Sequence, residues 1–180
     1  MHPDAWLVVI DPQRIFAAPE SPWGSPMFGD ILDPVRRLAG SAGERTVITR
    51  WVAPDPAHGS WAAYLQAWPF ADVPAGDRLF DVVDELAELA RTVVTEPTFG
   101  KWGPALSAIT GPIPRLVLAG VSTDCCVIST ALAAADAGAT VTIVSDACAG
   151  STPENHRKAL DVMGLYPPQI TIATTSEVLT

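Results

Sequence analysis

A chain of 180 residues with 48% hydrophobic and 17% charged content holds enough apolar side chain for one compact core, so a single domain over 1–180 is expected. A net charge of −9 and the lack of any basic run exclude a nucleic-acid-binding surface. No cationic segment followed by an apolar core opens the chain, and no apolar stretch reaches membrane-spanning length without Gly, Pro or a charge. A cytoplasmic protein acting on a small molecule, without membrane or nucleic-acid partners, is the expectation.

In chain order, the first apolar β-rich run is 6–10, and Asp11 stands directly after it. The stretch 19–28, which contains Trp23, reads as an ordered loop, and 31–39 carries a helical pattern. A second strand signal at 46–49 is followed by Arg50 and Trp51, at the start of an aromatic-rich region over 51–70 with a helical pattern at 60–68. Helical spacing returns at 80–89 and a third strand follows at 92–95. Beyond it, Glu96, Phe99, Lys101 and Trp102 share one loop. A helix over 103–109 leads to a fourth strand at 115–119 and to a helix over 124–137 with Cys125 and Cys126 near its start. A fifth strand at 140–145, a helix over 153–163 and a last strand at 169–173 complete the series. Ser151-Thr152-Pro153-Glu154 supplies capping oxygens, a first-turn proline and an acid at the positive end of the helix dipole. Gly138 stops the helix before it.

The strands carry apolar residues at consecutive positions, as expected of a mainly parallel sheet covered by helices on both faces. In such a sheet, functional groups gather beyond the carboxyl ends of the strands. Asp11, Glu96 with Lys101, and Cys126 all stand there. A cysteine in the first turn of a helix faces unpaired N–H groups and the positive dipole end, which favour a thiolate and can hold an oxyanion. Asp11 can take and return the proton, and Lys101 can balance the charge. The three cysteines, Cys125, Cys126 and Cys148, are expected as reduced thiols, with Cys148 a small buried residue. Trp23, Trp51, Trp61, Trp68, Phe70 and Trp102 either shape an apolar, flat pocket or fill the core or an oligomer interface. Arg50 either binds a substrate carboxylate or pairs with a neighbouring acid. His156, on a capped helix, is read as solvent-facing.

Gly120-Val121-Ser122-Thr123-Asp124-Cys125-Cys126-Val127 resembles the nucleophile segment of the isochorismatase-like cysteine hydrolases, with Cys125 at its variable position. Val8-Val9-Ile10-Asp11-Pro12-Gln13, with Phe16 beyond, is similar to that family's first strand with its Asp, Gln and Phe. The resemblance covers essentially the whole chain. It implies a three-layer α/β/α, Rossmann-like fold around six strands, Cys126 as nucleophile and Asp11 as acid/base. It also implies a cis peptide at Val121–Ser122, which would aim backbone N–H groups of that loop and of Cys126 at a substrate carbonyl. Gln13, Phe16, Trp23, Arg50, Trp51, Phe99 and Trp102 are the expected substrate-side residues, and a homo-oligomer is expected. The implied reaction is hydrolysis of a small amide or ureido carbon–nitrogen bond through a covalent enzyme. Vinyl-ether hydrolysis by Asp11 without the thiol, and a weakly active binding homologue, stand as alternatives.

The sequence departs from the family where its lysine normally follows the third strand, three residues before an aromatic. That position is Glu96, ahead of Phe99. Lys101 on the same loop is the substitute, pairing with Glu96 and leaving Asp11 as base. The other reading makes Lys101 a solvated surface residue and Glu96 a structural acid. Nicotinamidase-like members carry Asp-x-His after the second strand, where this chain has Trp51-Val52-Ala53. Asp55 and His58 are the only ligand types nearby, so neither a metal nor a cofactor is expected.

Overall fold

The computed structural model describes residues 1–180. Its strands are β1 (Ala5–Ile10), β2 (Thr46–Trp51), β3 (Val93–Glu96), β4 (Arg115–Val121), β5 (Thr140–Ala149) and β6 (Ile170–Ala173), in the order β3-β2-β1-β4-β5-β6 with every pair parallel. The helices are α1 (Arg14–Ala17), α2 (Leu32–Ala42), α3 (Ser60–Ala67), α4 (Pro104–Thr110), α5 (Ile128–Asp136), α6 (Pro153–Met163) and α7 (Thr175–Leu179).

Side chains of a strand point alternately to its two faces, so a strand that is apolar throughout must bury both. On β1, Leu7 and Val9 enter one core with Val35 and Leu38 of α2, together with Phe80 and Leu86. Val8 and Ile10 enter the other with Leu106 of α4, Ala131 and Ala134 of α5, and Met163 of α6. Each full-size aliphatic side chain buried this way contributes roughly 1.5–3 kcal/mol. A one-residue slip would only exchange the two sets on β1. The polar Thr49 and Asp11 at the strand ends therefore matter for register.

The sheet is built outward from β1 to β2 and β3, and then resumes on the other side of β1 with β4. The carboxyl ends of β1 and β4 therefore flank a topological switch point, where an open parallel sheet leaves a crevice. Asp11 leaves β1 there and Ser122 leaves β4. Gly120 on β4 holds the two together. Its φ is +105° and a Cβ would stand 2.2 Å from the Ile10 carbonyl oxygen.

Several elements differ from the sequence expectations. The 80–89 region is two 3-10 turns, Arg78–Phe80 and Asp84–Leu89, instead of one helix. The backbone between them is committed elsewhere: Arg14 N donates to the Asp81 carbonyl, Val83 N donates to Pro12, and Val82 bridges to Gln13. β5 continues past Ser145 to Ala149, with an irregular register opposite Leu118 and Gly120. There Asp146 accepts from Thr175 N and Oγ1 at 2.7 and 2.9 Å and so anchors α7. The α7 capping box, Thr174 with Glu177, is a Thr-x-x-Glu signal present in the sequence. No helix is long and apolar enough to cross a membrane.

Gly120→Ala tests the close approach of β4 to β1. Positive-φ strain and overpacking together are expected to cost about 3 kcal/mol. An unchanged urea-unfolding midpoint would contradict this account of the glycine.

Candidate active site

Asp11 is the only non-glycine residue with positive φ, at 45°, and is fully buried. Such a conformation is rare for a residue with a side chain and persists only when its surroundings fix it. Here Thr49, at the end of β2, grips both parts of the residue. Its Oγ1 accepts from Asp11 N at 3.1 Å and donates to Asp11 Oδ1 at 2.7 Å. The second carboxylate oxygen, Oδ2, has no conventional hydrogen bond, but Lys101 Nζ stands 3.2 Å away, and both side chains are wholly buried.

Lys101 is thus enclosed with Asp11 and does not sit in solvent. It pairs with Asp11, however, and not with Glu96 as expected. Its ammonium also donates to the Thr98 carbonyl at 2.5 Å, and its backbone N donates to Thr130 Oγ1 at 2.9 Å. Thr130 donates in turn to the Cys126 carbonyl at 2.7 Å, which ties the lysine loop to the cysteine turn. Glu96, at the end of β3 beside Trp51, makes no hydrogen bond or ion pair with Asp11, Lys101 or Cys126. The strand register explains the exchange. Glu96 is still hydrogen-bonded into the sheet edge, whereas the chain needs the turn through Thr98 and Gly100 before a side chain reaches β1.

Cys126 follows β4 across the cis Val121–Ser122 peptide. The chain first makes a widened turn over Thr123–Val127, in which Val127 N donates to the Ser122 carbonyl at 3.1 Å, and only then enters α5. The segment that carries Cys126 is therefore a π-type turn and not the first turn of a regular α-helix, a geometry frequent at functional sites. Cys126 stands beside Cys125 at the cavity floor, and its thiol feels the charge of Asp11.

The electrostatics define the resting protonation. Burial raises the Asp11 carboxyl, opposed by Lys101, Thr49 and Cys126. The Cys126 thiol is raised well above its ordinary value by its hydrogen bond with Cys125, by burial and by the Asp11 charge. Cys125 is lowered, first through that same hydrogen bond. We assign the proton to the deeper sulfur, since Cys126 is buried near a carboxylate whereas Cys125 is only half-buried. These influences oppose the thiolate-favouring effect expected of a helix start.

Above the pair of thiols lies a cavity of about 340 Å³. Its floor holds Cys125, Cys126 and Ser122, and Asp124 and Ser151 form one polar flank. Its walls are Phe16, Trp23, Trp51, Tyr64, Trp68 and Phe99. Trp23 is central among them, 6.2 Å from Phe16, 5.5 Å from Trp51, 5.6 Å from Tyr64 and 5.7 Å from Trp68 between ring centroids. A larger groove of about 950 Å³, around Arg14, Pro19 and Arg78, contains none of the three reactive groups.

The structure brings Asp11, Lys101, Cys126, Ser122, Phe16, Trp23, Trp51 and Phe99 to one place, and separates other expected residues from it. Gln13 is fully buried and acts as a backbone clamp. Its amide donates to the Trp51 and Phe80 carbonyls at 2.8 and 2.7 Å and accepts from Trp51 N at 2.7 Å. Arg50 Nε donates to the Phe80 carbonyl at 3.0 Å and does not line the cavity. Trp102 packs against the core on the α5 side. His156 is half-buried, not solvent-facing, with Nδ1 2.8 Å from Thr123 Oγ1, and burial lowers its pKa. Cys148 is buried, its thiol pushed up to about 12 by desolvation.

Tyr64 is a wall residue that sequence reasoning missed. Trp61, Tyr64 and Trp68 recur at helical spacing and carried the signal. Thr49 and Thr130 were invisible, because a threonine in a buried strand or helix has no sequence mark of a second, polar duty. No group of three or more His, Cys, Asp or Glu is gathered so as to hold a metal ion.

A family model described as the Isochorismatase domain matches residues 5–177. The fold is similar to a cysteine hydrolase from Pseudomonas syringae pv. phaseolicola 1448A, with TM-score 0.85 and 19% identity, covering 99% of this chain and 92% of that one. It is also similar to a nicotinamidase from Bacillus subtilis (TM-score 0.74, 22% identity, 94% and 99% covered) and to an N-carbamoylsarcosine amidase from Thermoplasma acidophilum (TM-score 0.72, 19% identity, 95% and 96% covered). A search of curated proteins returns no match.

Lys101→Met tests the buried pair. Leaving the carboxylate without its counterion is expected to cost about 3–5 kcal/mol at neutral pH. Burial already raises Asp11, and loss of Lys101 raises it further, while in the unfolded chain it still titrates near ~3.9. Above that value the folded state holds a proton the unfolded state has lost, so the variant's stability falls as pH rises. The difference from the unsubstituted protein should therefore shrink toward acid pH in urea unfolding. A pH-independent difference would contradict the pairing.

Proposed function

Because the chain belongs to the isochorismatase family, we propose that it is a hydrolase of a small amide or ureido carbon–nitrogen bond that works through a covalent bond to Cys126. The observation that carries this reading is Cys126 at the floor of an aromatic cavity, with the wholly buried pair of Asp11 and Lys101, 3.2 Å apart, beneath it.

In the first step Asp11 takes the Cys126 proton as the sulfur attacks the substrate carbonyl carbon. A neutral thiol beside a buried base suits this concerted transfer, since burial makes the carboxylate a stronger proton acceptor. The carbonyl oxygen gains negative charge, which backbone N–H groups of the Ser122–Cys126 turn would stabilise. The tetrahedral species then expels the nitrogen, which leaves as ammonia or an amine with the proton held by Asp11. Water, deprotonated by Asp11, attacks the resulting thioester or thiocarbamate, and the proton returns to the sulfur as the acid leaves. Lys101 keeps Asp11 ionised between steps and holds its second oxygen in place. The aromatic walls limit the access of bulk water to the nearly buried Cys126. The free state of Cys125, Cys126 and Cys148 suits a reducing, cytoplasmic setting.

The alternative of a weakly active binding homologue rested on Glu96 standing where a lysine is expected. With Lys101 on Asp11 that objection loses its force. The vinyl-ether alternative dispenses with the thiol, which here sits against the acid.

Cys126→Ala and Asp11→Asn are each expected to lower kcat roughly a thousandfold or more on any amide the protein turns over. Glu96→Gln, outside the reactive group, is expected to stay within about twofold. Steady-state kinetics on an amide panel checks this. Full activity of Cys126→Ala would overturn the mechanism, and a large loss in Glu96→Gln would restore Glu96 to the site.

A further inference from the structure

The cavity that gives access to Cys126 has an unusual charge character for a site built to hold a small polar molecule. Six aromatic rings wall it, and its one formally charged lining side chain is the carboxylate of Asp124. No Lys, Arg or His lines it. Lys101 is wholly buried beneath the floor and committed to Asp11 and Thr98, and Arg50 is turned to the Phe80 carbonyl. Asp124 is fixed in place, because Ser151 N and Oγ donate to its two oxygens at 2.7 and 2.6 Å. Two neutral donors hold its geometry but leave its charge.

Resting on the amidase reading above, we propose that the substrate's non-reacting part is a flat or branched apolar group carrying a positive charge, and that substrates bearing a remote carboxylate are rejected. The faces of Trp, Tyr and Phe attract a cation through the ring quadrupole, most strongly where water is excluded. An acidic flank adds to that attraction. A carboxylate entering the same space would lose its hydration and meet ring faces and Asp124 of its own sign. One neutral donor is buried in the wall without a protein acceptor, the Trp51 indole N–H. A single hydrogen bond from a neutral group does not compensate a desolvated anion. Polarity thus changes along the cavity, with the Ser122–Cys126 turn at the floor and electron-rich rings above it. The reacting carbonyl is thereby directed downward and the charged end toward the aromatic walls.

The test uses three benzamides that differ only at the para position, bearing trimethylammonium, hydrogen or carboxylate. Binding is measured on Cys126→Ser protein by calorimetry. On the unsubstituted protein it is measured by protection of the Cys125–Cys126 pair from iodoacetamide, so that a folding defect in the variant leaves a second readout. The trimethylammonium compound is expected to bind at least about tenfold tighter than the carboxylate, with benzamide between them. Equal or tighter binding of the carboxylate, or no protection by the cationic compound, overturns the proposal. If the expected order appears while no amide is hydrolysed, the amidase reading fails and the ligand preference stands. Turnover with the order reversed does the opposite.

Discussion

The buried ion pair between Asp11 and Lys101 is the constraint around which this site is arranged. Two opposite charges enclosed in a protein interior are costly to desolvate and are tolerated when their geometry and remaining hydrogen bonds are complete. Here Thr49 fills one carboxylate oxygen, Lys101 faces the other, and the Thr98 carbonyl takes a further ammonium proton. A hydrophobic pair of the same volume would stabilise the fold at least as well. The pair is therefore better understood through what it does beside Cys126 than through stability.

Everything that reaches the cysteine is connected to that pair by short physical links. Gly120 lets β4 approach β1 closely enough for the Ser122–Cys126 turn to stand over Asp11. Thr130 joins the backbone of Lys101 to the carbonyl of Cys126. Gln13, immobilised by Trp51 and Phe80, fixes the chain just past Asp11 and holds the aromatic wall at the same time. Cys126, Asp11 and the pocket thus share supports, and a change in one support should be felt by all of them.

The strands and their parallel arrangement were legible because uninterrupted apolar runs leave few other solutions. The placement of Asp11 and Cys126 was legible because Asp11 directly follows β1 and Cys126 lies in the turn after β4, the two strands that flank the switch point. What escaped the sequence has a common physical origin in side chains whose partner lies far along the chain. Lys101 can be read as solvated, or as the partner of nearby Glu96, until the fold places it on Asp11. Arg50 reads as a carboxylate binder until the Phe80 carbonyl, thirty residues on, claims it. Helical spacing at 80–89 gave way because the backbone there pairs with Pro12–Arg14. Helix-start reasoning anticipated a thiolate at Cys126. Burial near a carboxylate and a second thiol raises that thiol well above its ordinary value instead.

Cysteine-centred chemistry is tested most directly by rapid-quench intact-mass spectrometry during turnover of an activated aryl amide, followed by peptide mapping. The expected result is a transient acyl adduct on Cys126 that forms and decays at rates compatible with kcat, and that is absent from Asp11→Asn protein. Steady turnover without any adduct, or with the adduct on Cys125 alone, would contradict the assignment of Cys126 and Asp11 as the reacting pair.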